Sequence, residues 1–237
     1  MPQMTMVQAL NLAMREAMAE DENVLVLGED VGKDGGVFRV TDGLQAEFGE
    51  ERCIDTPLAE AAIGGTAVGL AVRGFNPIIE FQFDGFSFQA FHHIEGHVRR
   101  MRNRTRGART CPMVIRMPYG GGIRALEHHS EAPEATYAHL AGLKVVIPSG
   151  PRNARALLRS AIHAPDPIVF FEPKALYRAF REEVPEEPET LPIGKGVVAR
   201  EGRDVTIISY GATLRASLEA AEELADDHDV DAEVIDL

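Results

Sequence analysis

Apolar residues in "MVQALNLAMREAMAED" recur three and four positions apart behind Thr5, and that spacing predicts an amphipathic helix capped by the threonine. The pattern then changes. "NVLVLGED" (23–30) is a continuous run of Val and Leu, which fits a strand buried on both faces better than one with a wet side. Four more candidate strands follow: "NPIIEFQF" (76–83), "PMVIRMP" (112–118), "LKVVIPS" (143–149) and "DPIVFFEP" (166–173). Helical stretches separate several of them, at Glu60 to Val72, about Phe86 to Arg104, and Pro151 to His163. The last has Ser149 or Gly150 as its cap and Pro151 in its first turn. Strands alternating with helices predict an α/β fold, a parallel, doubly wound sheet covered on both faces.

Beyond residue 180 the pattern lapses. "REEVPEEPETLPIGKG" (181–196) has no period, is rich in Glu and Pro, and reads as a linker. "DVTIISYG", "TLRASLEAAEELADDH" and "DAEVIDL" then spell strand, helix and strand. Roughly forty residues are few for an independent core, so 197–237 are read as the start of a second α/β domain, incomplete or finished by another chain.

A length of 237 residues with 45% apolar content allows one large or two smaller domains. No apolar run reaches the ~18 residues of a membrane span, and the N-terminus lacks a secretory pattern. Cys53 and Cys111 lie far apart without metal-ligand spacing and read as small core residues in a reducing, cytoplasmic setting. The net charge of -13, with only four lysines (Lys33, Lys144, Lys174, Lys195) against 37 acids, speaks against nucleic acid or anionic membrane as partners.

Three stretches carry candidate chemistry. Glu60 opens a helix made almost wholly of Ala, Gly, Ile, Leu and Val, where a charged carboxylate is costly to bury. The macrodipole accommodates an acid in a first turn, so a structural Glu and a chemical one both fit. His128-His129-Ser130-Glu131 follow three glycines in a long irregular stretch between two strands. Loops at the carboxyl ends of parallel strands are where such folds place function, and histidine suits proton transfer near neutrality. A solvated polar loop is the plain alternative. In "IIEFQFDGFSFQAF", Phe81, Phe83, Phe86, Phe88 and Phe91 serve as core or as a cofactor platform, while Gln82 and Asp84 are harder to explain as packing. The basic cluster "HVRRMRNRTRGAR" is either a partner surface or a solvated face.

Taken together, "LGEDVGKDGGVFRVTDGL", "DTPLAEAAIGGTAVGLA", "EFQFDGFSFQAF", "HHSEAPEATYAHLAGLKVVIPSGPRNARALL" and "DPIVFFEPKALYR" resemble the beta subunit of the thiamine-diphosphate-dependent decarboxylase component of 2-oxo acid dehydrogenase complexes, in the transketolase-like group. The resemblance spans nearly all of residues 5 to 237. It implies a thiamine-diphosphate-binding, pyrimidine-type domain over 1–180, a linker over 181–196, and a truncated transketolase C-terminal-like domain over 197–237. The implied activity is oxidative decarboxylation of pyruvate or a branched-chain 2-oxo acid, with acyl transfer to the lipoyl-lysine of an acyltransferase component. The implied assembly is an α2β2 heterotetramer with an alpha subunit.

Glu60 matches the family's catalytic acid, which hydrogen-bonds a ring nitrogen of the aminopyrimidine. An apolar setting then favours a proton shared with the ring over a solvated anion. Phe86 matches the aromatic stacked on that ring, and Leu58 and Gln82 line the same pocket. His129 matches the active-site histidine that serves proton transfer during lipoyl acylation. Glu131 stands where many relatives have Gln and sets a negative charge beside His129. Ala164-Pro165-Asp166 stands where relatives often hold a structural potassium ion, which is left open here. No Gly-Asp-Gly with a downstream Asn appears, so Mg2+ and the diphosphate fall to the alpha subunit, and the chain alone is expected to be inactive.

Other readings stay in play. Single-chain transketolase-like enzymes usually carry both cofactor-binding domains, which the missing metal motif disfavours. A non-catalytic α/β scaffold or nucleotide-binding module is poorly supported, since "GEDVGKDGG" is not G-x-G-x-x-G and no Walker loop exists. "FFEPKALYRA" leans slightly towards branched-chain or mixed-specificity relatives.

The acidic, lysine-poor composition yields a first prediction. Self-repulsion of a net charge of -13 is screened by salt, so urea midpoints are expected to rise from low to molar potassium chloride. Equal midpoints in both would remove this account.

Overall fold

The computed structural model describes all 237 residues. Six parallel strands form its main sheet, in the spatial order Cys53–Asp55, Val24–Gly28, Asn76–Glu80, Val114–Tyr119, Ile168–Pro173, Lys144–Val146. The continuous apolar runs have a direct cause, since successive residues fill opposite layers. Val24, Val26, Ile78, Val114, Ile168 and Phe170 point into one cluster with helices Met6–Glu20 and Pro151–Ile162. Leu27, Ile79, Ile115, Met117, Val169 and Phe171 point into the other, against helix Glu60–Val72 and residues Ala90, Ile94 and Val98. Each face is dry, so neither can alternate with polar residues.

Both caps read from the sequence form. The Thr5 hydroxyl accepts from the Gln8 N–H, and Gln8 Oε1 accepts from the Thr5 N–H at 3.0 Å. At the other helix, Asn153 Oδ1 accepts from the N–H groups of Ser149 at 3.1 Å and Gly150 at 2.9 Å, with Pro151 in the first turn.

The predicted helix from Phe86 to Arg104 is corrected. That stretch runs as a tight turn-like helix over Asp84–Ala90, a short α segment at Phe91–His93, a widened turn over Ile94–Val98 and a last turn at Met101–Arg104. The tight entry brings Gly85 so close to the 120–131 loop that a Cβ there would lie 2.5 Å from His128 Cα. Tertiary contact therefore overrides helical spacing. Several short elements also escaped the sequence pattern, among them helix Leu44–Phe48, edge strand Cys53–Asp55, helix Glu134–Ala138 and strand Val197–Arg200.

The stretch 181–196, read as a linker, is tied down along its length. Glu182–Glu183 pair antiparallel with Gln3–Met4, Arg152 holds Glu189 at 2.7 Å, and Ser160 Oγ donates to the Leu191 carbonyl at 2.6 Å. Beyond it, Val205–Ser209 and Ala232–Asp236 pair in parallel, Val197–Arg200 adds antiparallel, and helix Thr213–His228 covers a core of only Ala221, Ala232 and Val234. Asp236 Oδ1 accepts from Ser149 Oγ at 2.6 Å, and the Gly211 N–H donates to that hydroxyl at 2.7 Å, which docks this unit on the first. Cys53 and Cys111 are free and buried, and burial pushes both thiols up to about 12. No helix is long and apolar enough to cross a membrane.

A charged network crosses the sheet near its carboxyl edge. Arg116, 1% exposed, donates through Nη1 to Glu80 Oε2 at 2.8 Å and through Nε and Nη2 to Glu172 at 2.6 and 3.0 Å. Tyr177 OH donates to Glu172 Oε2 at 2.7 Å. Burial drives the Glu80 carboxyl up, and the Arg116 charge opposes it. Arg116→Met leaves two carboxylates buried without a cation and is expected to cost about 3–5 kcal/mol, read as a lowered urea midpoint at unchanged slope.

Candidate functional site

The winding of the sheet places the site. The chain steps from Val24–Gly28 outward to Cys53–Asp55, then returns past it to Asn76–Glu80, so the order reverses there. At such a switch point the loops leaving the carboxyl ends diverge and open a crevice. Residues 29–30 follow one strand, 56–60 the next and 81–86 the third, and all three stretches bring polar side chains to this edge.

Glu60 is 2% exposed, and its Oε2 has no hydrogen-bond partner. Glu29, 6% exposed, leaves its Oε1 equally unpartnered. Burial raises the Glu29 carboxyl above its ordinary value, the Glu60 charge raises it further, and the Ala59 backbone N–H opposes them. Thr56 Oγ1 is a third buried atom without a partner, and its N–H donates to the Gly28 carbonyl at 2.9 Å, so it sits at the same strand end. Buried polar atoms are nearly always satisfied. Three orphans beside one strand end describe a crevice shaped for a polar, hydrogen-bonding guest. Glu29 and Thr56 were not singled out in the sequence. The available signal was an acid directly behind a fully buried strand.

The structure also joins the aromatic stretch to the histidine loop. Phe83 meets the His129 ring edge-on at 4.5 Å between centroids, and Phe86 meets it at 5.1 Å. Phe86 also packs edge-on to Phe83 at 5.8 Å. Of the remaining phenylalanines, Phe81 is core, Phe88 is 48% exposed and Phe91 packs on Tyr137. His129 Nδ1 faces the Glu127 carbonyl at 3.1 Å, a contact that requires the proton on Nδ1 because a carbonyl oxygen only accepts. The Glu131 carboxylate, expected beside His129, instead accepts from the His128 backbone N–H at 3.1 Å. His128 itself adopts φ of 69°.

Gln82 Nε2 donates to Asp30 Oδ2 at 3.0 Å, linking two strand ends across the crevice. Leu58 is 79% exposed and encloses nothing within this chain. The Glu60 helix packs on the segment Asp84–Ala90 that carries Phe86. Two sizeable clefts, of about 710 and 910 Å3, lie elsewhere, one against Arg99–Arg106 and one beneath the C-terminal unit. Both Asp166 oxygens are taken by Arg102, at 2.7 and 3.1 Å, so that carboxylate is not free for a cation.

Because the Glu29 value is raised, its carboxyl favours folding only while protonated. That contribution is present below the ordinary 4.5 and is lost as pH rises through the raised value. Glu29→Gln is expected to raise Tm at about pH 8 and to lose this advantage by about pH 4, as measured by thermal unfolding. An equal gap at both pH values would sink the prediction.

Comparison with known proteins identifies the fold and the family. Residues 2–179 match the transketolase pyrimidine binding domain, and residues 194–237 match the transketolase C-terminal domain. The chain is 55% identical over 237 residues to the pyruvate dehydrogenase E1 component subunit beta of Staphylococcus aureus, covering 100% of itself and 73% of that protein. The Staphylococcus epidermidis subunit of the same name is equally similar, at 55% with the same coverage. A solved split-gene transketolase, described as an inactive beta4 tetramer, superposes with a TM-score of 0.77 at 25% identity, covering 100% of this chain and 72% of that one. With the matched domains and this identity over its whole length, the chain belongs to the family of pyruvate dehydrogenase E1 beta subunits, built on the transketolase pyrimidine-binding fold.

Proposed function

We propose that this chain is the beta subunit of a 2-oxo acid decarboxylase that passes its acyl product to a lipoyl group, with pyruvate as the first substrate to test. The relatives at 55% identity are named for pyruvate, which weighs against the branched-chain leaning of "FFEPKALYRA". The observation that carries the reading is the unpartnered, buried Glu60 carboxyl facing Glu29 at the switch point.

These residues fit an aminopyrimidine. The orphaned Glu60 Oε2 offers a hydrogen bond to a ring nitrogen, the half-exposed Phe86 ring offers a stacking face, and Gln82 and Leu58 flank them. Thiamine diphosphate supplies the carbanion chemistry when bound. Glu60 holds or releases a proton at Oε2, and burial and then the Glu60 charge raise the neighbouring Glu29 carboxyl. Phe83 and Phe86 fix the His129 ring, leaving Nε2 to move a proton during acyl transfer.

Magnesium and the diphosphate are assigned to an alpha subunit, because the acids gathered here form no metal-holding group. A second chain would also close the crevice over exposed Leu58, in an α2β2 assembly that delivers its product to a lipoyl acyltransferase. We assign residues 1–180 to the cofactor domain and 197–237 to the C-terminal unit, joined by the strapped segment 181–196.

Reconstitution with the alpha subunit, thiamine diphosphate and magnesium tests the reading. Glu60→Gln is expected to lower pyruvate decarboxylation, followed with an artificial electron acceptor, by about 10²-fold or more. His129→Ala is expected to slow acylation of a lipoyl domain at least tenfold more than decarboxylation. Wild-type turnover in the Glu60 variant, or equal losses of both steps in the His129 variant, would overturn the respective role.

A further inference from the structure

Behind the aromatic cluster lies a buried ion pair that the reaction does not use. Asp84 is wholly buried and Lys174 is 4% exposed, with Lys174 Nζ 3.6 Å from Asp84 Oδ1. Neither side chain makes a hydrogen bond; both Asp84 oxygens and the Lys174 nitrogen are unpartnered. Two ions taken from water without compensating hydrogen bonds are an expensive feature, and their mutual attraction is what offsets it. Burial pushes the Asp84 carboxyl up to about 6 against the pull of Lys174, and it pulls the Lys174 amine down.

The position of the pair indicates its use. Asp84 is followed by Gly85, which presses on the His128 backbone so closely that a Cβ would sit 2.5 Å from both Cα and O. Lys174 is followed by Ala175, whose Cβ would lie 2.9 Å from one added at Gly122, in the same loop. The two segments that support the 120–131 loop therefore belong to different strand ends, 76–80 and 168–173, and the ion pair joins them. Lys174 Nζ also lies 5.6 Å from the centroid of Phe83, the ring against which His129 rests. The loop's own ties are local, and besides the His128 and His129 contacts already given, the His129 N–H donates to the Leu126 carbonyl at 3.2 Å. Gly120 N–H donates to the Glu131 carbonyl at 2.7 Å, Ser130 Oγ to that of Ala125 at 3.0 Å, and Arg124 and His128 sit at positive φ.

We propose that the Asp84–Lys174 pair is a latch that draws these two supports together and so positions His129. Both are positioning residues, since neither reaches the crevice. The latch gives a buried charge pair a geometric purpose that stability alone does not. Its link to acyl transfer rests on the proposed role of His129, whereas its hold on the loop does not.

Limited trypsin digestion of the folded full chain separates the two. Arg124 lies exposed in the loop, and Arg203, whose side chain is 88% exposed, lies in the distant C-terminal unit as an internal control. Lys174→Met is expected to speed cleavage at Arg124 about tenfold relative to Arg203, because cleavage follows local opening. Should the lone Asp84 prevent folding, the neutral double variant Asp84→Asn with Lys174→Met removes both buried charges and is expected to speed Arg124 cleavage at least about threefold. An unchanged ratio of the two cuts in either folded variant overturns the latch.

In the reconstituted enzyme, the same variants are expected to slow lipoyl-domain acylation about tenfold while pyruvate decarboxylation stays within about twofold. Parallel loss of both steps overturns the positioning of His129. If the wild-type assembly decarboxylates no 2-oxo acid, the proposed function falls, and the digestion ratio still decides the latch.

Discussion

Everything at the candidate site follows from two buried carboxylates, Glu29 and Glu60, that each leave one oxygen without a hydrogen-bond partner. They follow different strand ends, neither is paired with a cation, and Glu29 has the Ala59 backbone N–H as its one donor. Elsewhere in the chain the same cost is met directly. Glu80 and Glu172 clasp Arg116, and Glu16 shares Arg155 and Arg159. The contrast separates acids clasped by arginines, which hold strands or helices together, from Glu29 and Glu60, which lie at the crevice with an oxygen left for a guest.

That availability needs a rigid frame. The parallel sheet is dry on both faces, so its strand ends cannot drift without opening one of two large cores. The Arg116 network adds a polar brace across three neighbouring strands close to the edge where the crevice opens. Loops that leave such an edge can be irregular while their anchors stay fixed. The histidine loop is the extreme case, held from outside by Gly85, Ala175 and the Phe83 ring.

The match to pyruvate dehydrogenase E1 beta subunits agrees with the sequence reading at the level of fold and family. Phe86 and His129 meet edge-on, Gln82 is turned towards Asp30, and Glu131 is turned towards a backbone N–H. Leu58 gains meaning only if another surface covers it, as it stands 79% exposed. The expected helix after Phe86 dissolved into shorter turns. Its spacing was helical, but the close approach of Gly85 to His128 demands a tighter path than an α-helix provides.

By itself, the sequence determined what local chemistry can encode. Unbroken Val, Leu and Ile runs meant strands dry on both faces, Thr5 and the Ser149-Gly150-Pro151 turn marked helix starts, and a lone Glu60 among small apolar residues marked a carboxyl held away from water. Only the tertiary structure decided which strand ends are neighbours, and therefore that Glu29 faces Glu60, that Phe83 carries His129, and that Lys174 meets Asp84 across 90 residues of chain. The physical reason is that periodicity reports the environment of a side chain, whereas partnership between distant residues is set by strand order, which leaves no local trace.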